Sequence, residues 1–243
     1  MPNIKYVLAA VLGLFISIQP AQAIRIDSMF RVADVNNEGV FTVTNTDSKK
    51  IFLNIGIYEL TMVDGEIVKT AYTRDNIDKW KLTVRPARTM INPGFEKDFK
   101  VSLNCLPDCA SDTDRVFQLA VVPTPYFDEG ERPEKAVQMA IGFAPLFIVL
   151  GKADKLNYST RYIDNKLVVY NKGKTFLDIS VNACTGKAND TCSKDIKVLA
   201  GRRFELELKP EMNKGRLNLK VRTTGNKLKD TRVVIREVNN EKS

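Results

Sequence analysis

From Ile24 onward the chain is written in short runs that alternate apolar and polar residues, and turn-forming residues interrupt them about every ten positions. Ile51 to Tyr58 is one such run, and Phe95 to Leu103 is another. Alternation with a period of two puts one set of side chains on one face of a strand. Asp64-Gly65 sits between two apolar runs and predicts a tight hairpin. Asn92-Pro-Gly94 predicts another turn. No stretch shows the 3.6-residue rhythm of a long amphipathic helix; the nearest, Arg74 to Trp80, is short. Hydrophobic residues make up 44% of the chain, enough to bury a core, so the pattern predicts an all-β sandwich and not a disordered chain.

The rhythm runs twice. Strands are expected at 24–27, 40–45, 51–58, 81–85, 95–103 and 116–122, the last ending at Pro123, with the longest at 137–150. The polar segment Gly151 to Lys155 reads as a linker. Seven more strands follow, at 158–163, 166–170, 175–183, 196–199, 204–208, 217–221 and 232–238. The expected domains are therefore 24–150 and 151–243, although no sequence repeat links them.

The first 23 residues stand apart. Lys5 precedes the apolar stretch Val7 to Ile18, and Ala21-Gln22-Ala23 supplies a small-x-small cleavage site, so 1–23 reads as a secretory signal peptide. Twelve apolar residues fall short of the roughly 20 needed to span a bilayer. Export would expose the four cysteines to an oxidising space. Cys105 with Cys109 and Cys184 with Cys192 form close pairs, and local disulfides are the expectation for both. The second would staple a hairpin.

Enzymatic chemistry has little to work with. There is no histidine, which removes the usual serine and cysteine triads and every His-ligated metal site. No phosphate loop, nucleophile elbow or metal motif is present, and no cofactor is implied. Asp112, Asp114, Asp128 and Glu129 could furnish a carboxylate pair, but nothing in their spacing calls for one. The net charge of +8 suits an acidic partner without specifying nucleic acid.

One run is singular. In Val137-Gln-Met-Ala-Ile-Gly-Phe143, the residues Val137, Met139, Ile141 and Phe143 share one face of a strand. They either line the chain's own core or form an apolar edge kept for a partner, since an exposed apolar edge without one invites aggregation.

In order and spacing the chain resembles the PapD-like periplasmic chaperones of the chaperone–usher pilus pathway. Asn92-Pro-Gly94 is similar to the Pro-Gly before that family's E1 strand, and Phe117 to Pro123 to its F1 strand. The loop Tyr126 to Lys135 and the run Val137 to Phe143 are similar to the loop before its G1 strand and to G1 itself. Val168 to Gly173 resembles the asparagine turn of the second domain. The resemblance implies two immunoglobulin-like β-sandwich domains in an L- or boomerang-shaped arrangement. It implies a non-enzymatic role: capping pilus subunits by donor-strand complementation and delivering them to an outer-membrane usher. An exposed apolar edge would also allow the free chain to cap itself as a homodimer. By the same resemblance Val137, Met139, Ile141 and Phe143 would enter the subunit's groove. Arg31 corresponds to the family's first-strand arginine, which anchors the subunit's C-terminal carboxylate. The G1 lysine that normally completes that anchor is replaced by Leu146, leaving Lys152 as the nearest cation. The departures resemble the alternate branch that serves colonisation-factor-type fimbriae, whose second domain also carries a close cysteine pair.

Two other functions fit a secreted two-domain β chain. An adhesin or carbohydrate-binding module would use aromatics such as Tyr126 and Phe127, and would turn Val137 to Ile141 into its own core. A hydrolase would depend on the loop carboxylates, with Asp112 or Asp114 essential.

Overall fold

A computed structural model describes residues 24–104, 110–126, 141–152, 155–224 and 227–237. The expected signal peptide, Cys105, Cys109, Val137, Met139, Phe127, Asp128 and Glu129 lie outside those residues.

Ten strands precede residue 150: β1 (Ile24–Ile26), β2 (Phe30–Val32), β3 (Glu38–Asn45), β4 (Ile51–Val63), β5 (Glu66–Ala71), β6 (Leu82–Arg85), β7 (Arg88–Ile91), β8 (Glu96–Leu103), β9 (Arg115–Pro125) and β10 (Leu146–Val149). They form two sheets. One runs β1-β3-β8-β6, and the other β2-β10-β9-β4-β5 with β7 also on β4. Alternating residues of both fill one core, among them Phe41, Leu53, Phe99, Leu119 and Phe147. The expected Asp64-Gly65 hairpin joins β4 to β5. Both residues have positive φ (52° and 86°), as a two-residue turn between twisted strands requires. The stretch at Arg74 is a short 3-10 helix, Arg74–Lys79.

Seven strands follow, as expected: β11 (Tyr158–Ile163), β12 (Lys166–Asn171), β13 (Leu177–Asn182), β14 (Ser193–Val198), β15 (Arg203–Glu207), β16 (Arg216–Arg222) and β17 (Lys229–Glu237). They pack a second core that includes Tyr162, Leu167, Val181, Leu217 and Val221. Cys184 and Cys192 are disulfide-bonded, with Cα atoms 5.1 Å apart, across the β13–β14 hairpin.

Three expectations need correcting. Among the described residues the first half holds ten strands where seven were expected, because β2, β5 and β7 are short or edge pieces that alternation alone does not isolate. Pro123 does not end β9, which continues to Pro125. The Val121 amide points toward residue 143, so residue 123 faces that same side, where β9 makes no further hydrogen bond among the described residues, and a proline there breaks no described pairing. Finally, the apolar run to Leu150 is not one strand. Phe143 makes an isolated bridge to Val121, Ala144 and Pro145 interrupt, and β10 begins at Leu146. No described helix is long and apolar enough to cross a membrane.

Each half carries one buried asparagine that performs the same task. The Asn45 Nδ2 donates to the Lys49 carbonyl (2.8 Å) and to the Ile91 carbonyl (2.9 Å). The Asn171 Nδ2 donates to Thr175 (2.9 Å) and to Val198 (3.0 Å), while its Oδ1 accepts from the Gly173 amide. Both residues are fully buried, and both pin a turn to a distant strand. An unsatisfied amide in either place would be costly.

Candidate functional site

The segment after residue 141 lies along β9. Phe143 and Val121 exchange backbone hydrogen bonds of 3.0 and 2.8 Å, and the Leu119 amide donates to the Pro145 carbonyl (2.9 Å). β10 then continues antiparallel to β9, from Leu146 opposite Gln118 to Val149 opposite Arg115. On its other side β2 runs parallel to β10, but only over Leu146 to Ile148. Among the described residues no strand pairs with the outer side of residues 141–145. Among those residues the margin is unpaired.

Side chains at this margin divide. Phe143 is half-buried and packs against the first core. Ile141, two residues earlier, is 66% exposed. Gly142 is required by close approach, because a Cβ there would lie 2.7 Å from the Val121 carbonyl oxygen. The segment can therefore hug β9 while offering the amide groups of Gly142 and Ala144 outward.

The two halves meet beside β10. Leu60, Val116, Ile148, Phe176 and Leu199 form a third buried cluster, drawn from both. Phe30 and Val32 of β2 pack against it. The Phe30 and Phe176 rings meet edge-on at 5.1 Å. Asp114, at the foot of β9, is the polar pin. It accepts from the Gly151 amide (2.9 Å), the Thr175 hydroxyl (3.0 Å) and the Phe176 amide (2.8 Å). Burial pushes its carboxyl above the usual aspartate range, and these three donors pull the other way. Gly151 reaches Asp114 only because it lacks a side chain; a Cβ would sit 2.6 Å from the Thr113 carbonyl carbon.

Arg31 does not face this junction. Strand alternation turns it away from Phe30 and Val32 and over the Phe41 ring, 5.4 Å from its centroid. Its Nη2 donates to Asp27 Oδ2 at 2.6 Å, and its buried Nε has no partner. Lys152 is exposed, and its backbone amide donates to the Ser111 carbonyl. The cations that line the cleft are ones sequence reasoning passed over. Lys197 lies 4.7 Å from the Phe30 ring centroid and pairs with Asp178. Arg222 sits directly opposite Asp178 across the β13–β16 ladder. It has no ion pair among the described residues. The Thr224 hydroxyl on the same cleft wall is buried without a partner. In sequence these residues were ordinary polar positions of strands; only the packing of the two halves brings them to the cleft.

Of the carboxylates weighed for hydrolysis, the two described ones are engaged elsewhere. Asp112 pairs with Lys174 at 3.1 Å, and Asp114 holds the junction. Tyr126 is partly covered by Lys50, whose Nζ lies 5.1 Å from the ring centroid.

A sequence model of the CS5 fimbrial protein N-terminal domain matches residues 26–150, just over half of the chain. The chain belongs to this family. No curated protein matches it in sequence. Solved structures do match in fold. The SafB chaperone, solved in complex with the Salmonella enterica SafA pilin, aligns at a TM-score of 0.56 and 13% identity, over 89% of this chain and 98% of that one. The CsuC–CsuE chaperone–tip adhesion subunit complex from the archaic Csu pili of Acinetobacter baumannii gives 0.55 and 10%, over 89% and 100%. The class 5 fimbrial chaperone CfaA gives 0.51 and 12%, over 88% and 99%. The chain thus shares the two-sandwich fold of these fimbrial chaperones along nearly the whole length of each.

Proposed function

We propose that this chain is a periplasmic chaperone that binds fimbrial subunits and passes them to an outer-membrane usher. The observation that supports this best is the open margin beside β9, with Ile141 exposed at it. A subunit strand that paired with the outward amides of Gly142 and Ala144 would extend the sheet by β-augmentation. Val137, Met139 and Ile141 would project into the subunit's groove, each burial contributing about 1.5–3 kcal/mol. Phe143, already packed on the chain's own core, ends that series. No catalysis or cofactor is needed, since backbone pairing and apolar burial do the binding. Residues 1–23 would direct export and then be removed. The same margin would let two free copies cap each other.

A chain-end carboxylate of the subunit would be held by cations. Arg31 with Lys152 is one set, and Lys197 with Arg222 the other. Each set has one cation already in an ion pair, Arg31 with Asp27 and Lys197 with Asp178; the second is favoured because Lys197 and Arg222 line the cleft beside Phe30 and Phe176, whereas Arg31 turns away over Phe41.

The test is capture. The tagged full chain, isolated from its host periplasm while fimbriae are being made, should co-purify with a stoichiometric small subunit, identified by intact mass. Met139→Glu and Ile141→Glu should lose that partner and keep the melting temperature. Capture unaffected by both substitutions would refute the donor-strand reading.

A further inference from the structure

Strands β16 and β17 lie side by side in the second sandwich and turn alternate residues to opposite faces. Leu217, Leu219, Val221 and Val234 go to the core. The outward face carries Arg216 opposite Ile235, Asn218 opposite Val233, Lys220 opposite Thr231 and Arg222 opposite Lys229. These outward positions hold four cations and no carboxylate. None of the four cations has an ion pair among the described residues. The outward carboxylates that adjoin them, Asp178 and Glu237, are committed to Lys197 and Arg161.

Two features of this face are costs to the isolated molecule. Arg222 and Lys229 stand directly opposite each other, and like charges so placed destabilise a sheet. Val233 is 46% exposed and Ile235 69%, where an antiparallel sheet facing water ordinarily turns polar residues. One kind of surface relieves both. Anionic groups over Arg222 and Lys229 remove their repulsion, and an apolar layer just behind the anions takes up Val233 and Ile235.

The size of the face separates the candidates. The seven residues of β16, at about 3.3 Å each, and two strands about 5 Å apart make a strip of roughly 20 Å by 10 Å, or about 200 Å². A stable protein interface buries about 800 Å² on each partner, so the strip is small for one. A bilayer sets no such threshold. Each anionic headgroup meets a cation separately, and aliphatic side chains need reach only the boundary between headgroups and acyl chains.

We infer that this face docks the protein on the surface of an anionic phospholipid bilayer, with Arg216, Lys220, Arg222 and Lys229 on the headgroups and Val233 and Ile235 at the acyl boundary. Export through the expected signal peptide would carry the chain past such a surface. Apart from Arg222, which also borders the cleft, none of these residues enters the subunit-binding reading, so the two stand or fall separately.

The test mixes the full mature chain with phosphatidylglycerol–phosphatidylcholine vesicles at low salt and reads bound protein by co-sedimentation. Binding should saturate, and Arg216→Ser/Lys220→Ser should weaken it at least about tenfold. Val233→Ser/Ile235→Ser should weaken it by a similar factor at unchanged net charge. Arg25→Ser/Lys97→Ser removes two cations from the first sandwich and should change it by less than about threefold. The replaced side chains are all exposed, so melting temperatures should stay within a few degrees of the parent. An absence of binding, or equal binding to phosphatidylcholine alone, overturns the inference. So does a loss in Arg25→Ser/Lys97→Ser as large as in Arg216→Ser/Lys220→Ser, which would make net charge the cause and not this face. A Val233→Ser/Ile235→Ser variant that binds like the parent overturns it as well. Complete displacement of the vesicles by polyglutamate at equal charge would make this a site for an acidic protein, and displacement by inorganic phosphate a single-anion site. Either overturns the membrane assignment.

Discussion

The Phe176 amide donates a 2.8 Å hydrogen bond to the Asp114 carboxylate, which ties the foot of β9 to the second sandwich beside the apolar cluster of Leu60, Ile148 and Leu199. The same carboxylate accepts from Thr175 and from Gly151, so one side chain joins β9, the connecting segment and the second core.

Asp114→Ala should therefore loosen the junction more than either core. Leaving three buried donors without their acceptor should cost about 1–3 kcal/mol. Urea unfolding reads the loss, and faster proteolysis near Gly151 locates it.

The charge state of Asp114 adds a pH signature. Burial raises its carboxyl above the unfolded value, so the native state binds its proton more readily. Stability contributed by a group of this sign is greatest at acid pH and declines as pH rises through the folded value. The destabilisation by Asp114→Ala should accordingly be larger at pH 4 than at pH 7, as paired urea titrations would show. A smaller effect at pH 4 would mean that the three donors outweigh burial.

At the open margin two neighbouring apolar residues should behave oppositely. Ile141→Glu changes an exposed side chain and should shift stability by no more than about 0.5 kcal/mol while abolishing subunit capture. Phe143→Ala removes a ring packed on the first core and should cost about 1–3 kcal/mol. Thermal melts paired with pull-down separate the two.

The cations can be separated in the same assay. Lys197→Ala/Arg222→Ala should reduce subunit capture at least about tenfold, as expected for loss of two charge-assisted contacts, beyond a stability loss of about 1 kcal/mol from the Lys197–Asp178 pair. Arg31→Ala should instead show first as a stability loss of about 1 kcal/mol, from the Asp27 pair and the cover over Phe41. Capture that is lost only in Arg31→Ala would move the anchor back to β2.

Reducing Cys184–Cys192 releases a constraint over a sequence separation of eight, worth about 2–3 kcal/mol by loop closure. The effect should be local. Hydrogen exchange should accelerate in β13 and β14 under reductant and stay unchanged in β4 and β9.

Much of this fold was legible in the sequence because strand alternation and turn chemistry are local. The Asp64-Gly65 hairpin and all seven strands of the second half could be placed, although β14 and β17 begin three residues before the alternation does. The short partners β2 and β7 could not, since three or four residues carry no periodicity. The break at Ala144 and Pro145 was visible in the proline itself, which cannot donate to a ladder, yet the apolar run around it read as continuous. Asn45 and Asn171 hold the one detectable kinship between the halves. Each follows an alternating run and precedes a polar turn, a signal too small to register as a repeat. The facing of Arg31 was out of reach. Whether it looks into the cleft or onto Phe41 turns on strand phase after the break at Asp27 to Met29, and a one-residue shift reverses it. Lys197 and Arg222 were invisible for a different reason, as they come together only through the packing of two sandwiches.

β4 runs unbroken for 13 residues, from the pairing with β7 to the hairpin whose Gly65 carbonyl accepts a 2.8 Å hydrogen bond from the Arg203 amide of the second sandwich. At about 3.3 Å per residue it is a beam roughly 40 Å long. Beyond that footing, Gly201 lies so near Met62 that even a methyl group would come within 3.2 Å. If the second sandwich rotated about that footing, the far end of the beam near Ile51 would travel farther than the hairpin itself.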